Sequence, residues 1–245
     1  MIFKSYIKDK LDNYFEEKIS KHIEFQNSLE NWFYKWLDFQ NNSYANSYSP
    51  KNTYYEFGTG WGQTLTAFIN AAKAYSSANN TNIENINICL FDSFEGLPPV
   101  KSPEDNHVSW KEGEFAYSKK YIFDLIKKLD FPIENVKFIE GYYENSLNKE
   151  TMEIIKQIPP SIITVDTDYY SSTNEVLSFL PRVLKSGTVF YFDDLFSFFL
   201  NEDYGQVKSI KEFNSLGDGK LYPLTENNYN GKCFIYSAKK WEHTI

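Results

Sequence analysis

The sequence predicts an α/β fold: a mostly parallel sheet with helices on both faces and a C-terminal antiparallel hairpin. Three observations carry this reading. Five short apolar runs, NTYYEF, INICLFD, VKFIEG, SIITVD and TVFYFDD, alternate with helical stretches. Each run ends in glycine or acid, at Glu56–Gly62, Asp92, Gly141, Asp166 and Asp193-Asp194. Near the C-terminus LYPLTEN and CFIYSAKK are joined by NYNGK, whose Asn230-Gly231 pair is a strong hairpin signal.

The elements follow in order. Ile7, Leu11, Tyr14, Phe15, Ile19 and Ile23 recur at helical spacing, and Leu29, Trp32, Phe33, Trp36 and Leu37 form a second stripe. Residues 1–45 therefore read as a helical cap. It packs on the main domain, covers substrate, or makes a homo-oligomer contact. The polar stretch 40–50, ending in Pro50, reads as a loop, and residues 50–245 as the main domain.

At 245 residues the chain has the length of one large domain, or of one domain with an appendage. Its net charge of −8 argues against nucleic acid and anionic membrane surfaces as main partners. Aromatic residues make up 18% of the chain, enough for a large core and against general disorder. Two cysteines, Cys89 and Cys233, make neither a disulfide framework nor a Cys-based zinc site. MIFKSYIKDK lacks the apolar region of a secretory signal, and no apolar run reaches the roughly 18 residues of a membrane span. The expected location is a reducing cytoplasm.

Parallel α/β folds bind ligands at the carboxyl ends of their strands. The first such end is Glu56-Phe57-Gly58-Thr59-Gly60-Trp61-Gly62. A dinucleotide fingerprint would need glycine where Gln63 stands, and no Gly-Lys-Ser/Thr of a phosphate loop follows. An acid followed by spaced glycines, with Asp92 ending the second strand, resembles the S-adenosylmethionine (SAM) loop of class I methyltransferases. By that resemblance Asp92, with Ser93 beside it, binds the ribose. Gly58 and Gly60 make room for the cofactor, and Glu56 supports the loop or the amino group. Thr64 meets the methionine carboxylate at a helix N-terminus. Gly141 and Tyr142 flank the adenine, with core packing the alternative for Tyr142.

At the chemistry end, Asp166 precedes Asp193 and Asp194 by 27 and 28 residues, room for one helix and one strand. The three carboxylates can converge, and they repel unless a cation or proton intervenes. Mg²⁺, a hard ion suited to oxygen ligands, answers that need. The alternative is that one aspartate caps a loop and no metal binds. His107, Trp110, Glu112 and Phe115 lie in a long loop of the kind that forms lids. LFSFFL, at 195–200, is a candidate acceptor pocket, partner contact or core segment.

FDSFEGLPP at 91–99, WKEGEF at 110–115, the segment 165–195 and the glycine loop together resemble the macrocin O-methyltransferase (TylF-type) family. The resemblance spans roughly residues 50–240. It implies a Rossmann-like class I methyltransferase fold with a seven-stranded sheet, SAM as cofactor, and metal-dependent methylation of a sugar hydroxyl. The acceptor would be a nucleotide sugar, a glycan or a glycosylated natural product. The family's metal aspartates fall on Asp166, Asp193 and Asp194. Similar metal chemistry in catechol O-methyltransferase uses a lysine just after the first metal aspartate. Here Thr167-Asp168-Tyr169 has none, leaving Asp166 as base, with Asp168 and His107 as substitutes. The competing readings are methylation of a phenol or other small diol, and a binding protein that kept the fold without catalysis.

Overall fold

The structure is a computed structural model and describes residues 2–42, 52–228 and 231–240; side chains are described except at 2–17, 19 and 226–228. Seven strands form one sheet: β1 (Thr53–Phe57), β2 (Asn87–Asp92), β3 (Val136–Glu140), β4 (Ile162–Val165), β5 (Val189–Phe192), β6 (Gly219–Asn228) and β7 (Gly231–Ala238). Their order is β3-β2-β1-β4-β5-β7-β6. β1 to β5 are parallel, and β7 runs antiparallel to both β5 and β6. Asn228 pairs with Gly231 across the hairpin; Asn230, half of the turn signal, lies outside the described residues. β1 is flanked by β2 on one side and β4 on the other. The strand order reverses there, which opens a crevice above the ends of β1 and β4.

The helices are α1 (Ile2–Asn42), α2 (Gln63–Asn79), α3 (Lys119–Lys128), α4 (Tyr143–Ser146), α5 (Lys149–Ile155), α6 (Tyr170–Phe179) and α7 (Gly205–Ser215). All residues of β1, β4 and β5 are buried, as expected of strands covered on both faces. Alternation along each strand sends side chains into two cores. Tyr54, Ile88, Leu90, Ile162 and Tyr191 pack with α1 and α2. Tyr55, Phe57, Phe91, Val165 and Phe192 pack with α5, α6 and α7. Cys89 and Cys233 are free and buried.

The N-terminal segment is one continuous 41-residue helix. Leu29, Trp32, Phe33, Trp36 and Leu37 are buried in the α2-side core. Phe33 packs edge-on against Tyr54 and Phe68, with ring centroids 5.4 and 5.3 Å away, and Trp32 lies 5.7 Å from Tyr191. Gln40 Nε2 donates to the Ser161 carbonyl at 2.7 Å. The second apolar stripe is thus core of the same body as the sheet. Ile23 is 52% exposed. The side chains of Ile7, Leu11, Tyr14, Phe15 and Ile19 lie outside those described, as does the segment 43–51. Among the described residues no helix is long and apolar enough to cross a membrane.

Candidate active site

The glycine loop is shaped by its neighbours in the fold. Gly58, Gly60 and Gly62 have φ of 83°, 48° and 83°, left-handed conformations that glycine adopts without steric cost. A Cβ on Gly58 would lie 1.7 Å from the Asp166 carbonyl oxygen, and one on Gly62 would lie 2.4 Å from Leu125 Cδ2. A Cβ on Gly60 would meet nothing within 4 Å. Close approach to a ligand can therefore account for Gly60. Gly58 is required by the backbone at the end of β4, whereas Gly62 meets only the flexible end of the Leu125 side chain of α3.

Asp92 ties this loop to β2. Its Oδ2 accepts from the Thr59 and Gly60 amides at 2.6 and 3.3 Å, and its Oδ1 from the Phe94 amide at 2.7 Å. Burial raises its pKa, and the backbone donors oppose the rise. Glu56 sits beneath the loop, 1% exposed. Its Oε2 has no hydrogen-bond partner, and the nearby Tyr54 hydroxyl and Leu65 amide favour its charged form. Burial drives its pKa well above the usual carboxylate range.

A cavity of about 350 Å³ opens at the switch point. Gly58, Gly60, Thr64, Asp92, Ser93, Gly141 and Tyr142 line it, together with Asp166, Asp168, Asp193 and Asp194. Of the expected cofactor residues only Glu56 is absent from this lining. Tyr142 is half-buried on the cavity wall rather than in the core. Ser93 Oγ donates to the Gly96 carbonyl at 3.0 Å, closing the turn after β2.

The acids converge with one difference from expectation. Carboxylate oxygens of Asp166, Asp168 and Asp194 all lie within 4.8 Å of one another. Asp193 Oδ1 instead accepts from the Tyr191 hydroxyl at 2.7 Å. Asp168 reaches the cluster through a left-handed φ of 56°, and its amide donates to Asp194 Oδ2 at 3.1 Å. Gln206 of α7 braces both strand ends. Its Oε1 accepts from the Asp194 amide at 3.1 Å, and its Nε2 donates to the Val165 carbonyl at 3.0 Å. Burial and mutual repulsion hold Asp166 and Asp194 well above the usual carboxylate range. Burial, then the charges of Asp193 and Glu114, push Asp168 up to about 7. Burial also raises Asp193.

The long loop after β2 is anchored by a residue that sequence reasoning passed over. Asp105 is fully buried. Its carboxylate accepts from the Lys101 and Ser102 amides at 3.2 Å each, and from the Ser171 amide at 2.8 Å. Beside it, Glu104 pairs with Lys208. The loop is thereby pinned to α6 and α7, the helices that follow the acid-bearing strands. The available signal was Ser102-x-x-Asp105, the spacing of a capping box. Trp110 and Phe115 line the cavity. His107 does not. Its ring lies 4.2 Å from Trp110 and 5.2 Å from Phe198, and its Nδ1 accepts from the Ser109 amide at 3.3 Å. LFSFFL is divided: Leu195 is core, Phe198 joins this aromatic cluster, and Phe199 is 95% exposed.

No curated protein matches the sequence significantly. Among solved structures, the calicheamicin methyltransferase CalS11 is 19% identical, with 89% of this chain and 79% of that chain covered at a TM-score of 0.65. The O-methyltransferase NovP is 18% identical over the same shares, at a TM-score of 0.58. These likenesses establish a common fold. The family model described as macrocin-O-methyltransferase (TylF) matches residues 67–214, a stretch that holds Asp92, Asp166, Asp168, Asp193 and Asp194. Because that match spans more than half of the chain, the protein belongs to the macrocin-O-methyltransferase (TylF) family and is a SAM-dependent O-methyltransferase.

Proposed function

We propose that this enzyme methylates a sugar hydroxyl, with Asp166 as base beside a divalent cation held by the acidic cluster. The observation that carries the reading is the single cavity shared by the glycine loop and the clustered aspartates. CalS11, whose fold this chain shares, is a TDP-rhamnose 3'-O-methyltransferase, which supports a sugar acceptor.

Within this reading the cofactor lies at the glycine-loop end. Asp92 has accepted three backbone N–H groups, and a carboxylate offers about four lone-pair sites, so it retains capacity for a ribose hydroxyl. Gly60 leaves space at the loop. Gly62 gives α2 no side-chain cap, so the helix N-terminus at Gln63 and Thr64 suits an anionic carboxylate. Gly141 and Tyr142 take the adenine. Glu56 contributes from below, buried beneath the loop and close to the Leu65 amide at the start of α2.

The donor set fits a hard divalent cation. It is all oxygen, closely spaced, and strained by like charge that a cation relieves. Asp166, Asp168 and Asp194 would hold the ion, with Asp193 behind them on Tyr191. A bound divalent cation lowers the pKa of a hydroxyl group that it holds. Asp166, deprotonated, accepts the acceptor's hydroxyl proton, and the oxygen takes the methyl group from the cofactor's sulfonium. Trp110 and Phe115 shield the reacting groups from water. Asp105 keeps the loop that carries them in register with α6. Positioning of the two substrates supplies much of the rate.

The test is methyl transfer from labelled SAM to a panel of nucleotide sugars and simple glycosides, with catechol as the phenolic comparison, in Mg²⁺ and in chelator. Sugar methylation that chelator abolishes is the expected result. Transfer to catechol alone would replace the sugar reading. Full turnover in chelator would remove the metal from it.

A further inference from the structure

Residues 1–45 precede the family match, yet α1 reaches the cavity. Phe25 lines it. One turn earlier the His22 ring stacks on Trp61, with centroids 5.5 Å apart and planes 29° from parallel. Gln63 Nε2 lies 3.3 Å from His22 Nδ1. Trp61 belongs to the glycine loop and is 44% exposed. It stands between Gly60 and Gly62, both left-handed. Backbone of that kind has wide conformational freedom and does little to aim the indole. Contact with α1 supplies the aim.

α1 is well placed to act as a fixed wall. Leu29, Trp32 and Phe33 anchor it in the core one to three turns further along. Asn70 Nδ2 of α2 donates to Glu30 Oε1 at 2.8 Å, joining it to the helix that begins at the glycine loop. These contacts tie the part of α1 beside the loop to α2.

We propose that α1 is the outer wall of the cofactor site. Phe25 and Trp61 form an apolar cover over the part of SAM that meets the glycine loop, and His22 is the positioning residue that holds the indole. The inference rests on the cofactor placement proposed above and is independent of the acceptor. A half-exposed indole gains buried area when a ligand fills the loop, so cofactor binding and Trp61 order reinforce each other.

The probe is S-adenosylhomocysteine (SAH), titrated calorimetrically into the full chain without acceptor. Trp61→Ala and Phe25→Ala are expected to weaken binding about tenfold. His22→Ala should weaken it about threefold, and His22→Phe should restore it, because a phenyl ring stacks without the Gln63 contact. Ile23→Ser, exposed on the same helix, serves as the control and leaves affinity and thermal midpoint unchanged. His22 is exposed, so its variants fold, and unchanged thermal midpoints separate a binding effect from a stability effect. Unchanged SAH affinity in Trp61→Ala and Phe25→Ala would overturn the proposal. Failure of His22→Phe to restore a loss seen in His22→Ala would overturn the stacking role. Asp92→Asn distinguishes the two levels. If it also leaves SAH affinity unchanged, the cofactor placement itself has failed; if it alone weakens binding, only the cover has failed.

Discussion

Gly58 and Asp166 meet backbone to backbone at the switch point. A Cβ at position 58 would lie 1.7 Å from the Asp166 carbonyl oxygen, and the Asp166 amide donates to the Phe57 carbonyl at 2.8 Å. The loop read as the cofactor cradle and the acid read as the base share one joint. Gly58→Ala must relieve a backbone clash and adopt a strained φ, at a cost of about 3 kcal/mol or more. Its urea midpoint should fall accordingly, with SAH binding and turnover falling together. A variant as stable as wild type would contradict this geometry.

Asp92→Asn should weaken SAH binding by about tenfold to a hundredfold, the usual effect of losing hydrogen bonds to a charged group. Calorimetry measures it. The same variant loosens the Thr59 and Gly60 amides, so its thermal midpoint should drop modestly.

Asp168 and Asp193 separate the geometric metal set from the one implied by family resemblance. Asp168→Asn should lower Mn²⁺ or Mg²⁺ affinity on the order of tenfold to a hundredfold or beyond, and Asp193→Asn distinctly less. Asp166→Asn should cost roughly 10²–10⁴ in kcat, the range of general-base catalysis. Paramagnetic resonance of Mn²⁺ reads the binding without an acceptor. A larger loss in Asp193→Asn than in Asp168→Asn would reinstate the resemblance-based set.

Glu56 makes a prediction about pH. Its folded pKa is raised by burial, so between the unfolded and folded values the native state binds more protons than the unfolded chain. Its contribution to stability is therefore present below the unfolded pKa and is lost as pH rises toward the folded one. Glu56→Gln keeps the shape and an acceptor oxygen and removes the titration. The variant should gain stability relative to wild type as pH rises from about 4, the unfolded carboxylate value. Urea melts across pH test it, and parallel curves would refute it.

Phe33→Ala should cost about 3–5 kcal/mol, because Phe33 is fully buried against Tyr54 and Phe68. A separable cap would lose far less in a whole-chain urea melt.

The strand ends were legible in the sequence because glycine and acid at those positions interrupt apolar runs so sharply. The direction of individual side chains was not. A spacing of 27 or 28 residues brings Asp193 and Asp194 to the same sheet edge as Asp166. It does not say which of the two adjacent acids meets Asp166 and Asp168 and which accepts from Tyr191. Asp168 entered the cluster through a left-handed residue, which no periodicity announces. Gly58 looked like room for a ligand because the partner that crowds it, the Asp166 carbonyl, lies 108 residues along the chain. The Trp and Leu stripe of α1 was visible as a stripe, but what it packs against depends on strand order. His107 had chemical promise as a lone loop histidine, and its rings of contact proved to be Trp110 and Phe198.

The packing of α1 also bears on how the chain is made. Trp32 rests on Tyr191, and Gln40 bonds the carbonyl of Ser161. During synthesis α1 must therefore wait until β4 and β5 have been made before these contacts exist, and chain elongation at about 5–20 residues per second makes that a wait of many seconds. α1 is thus made well before the strands that complete its packing.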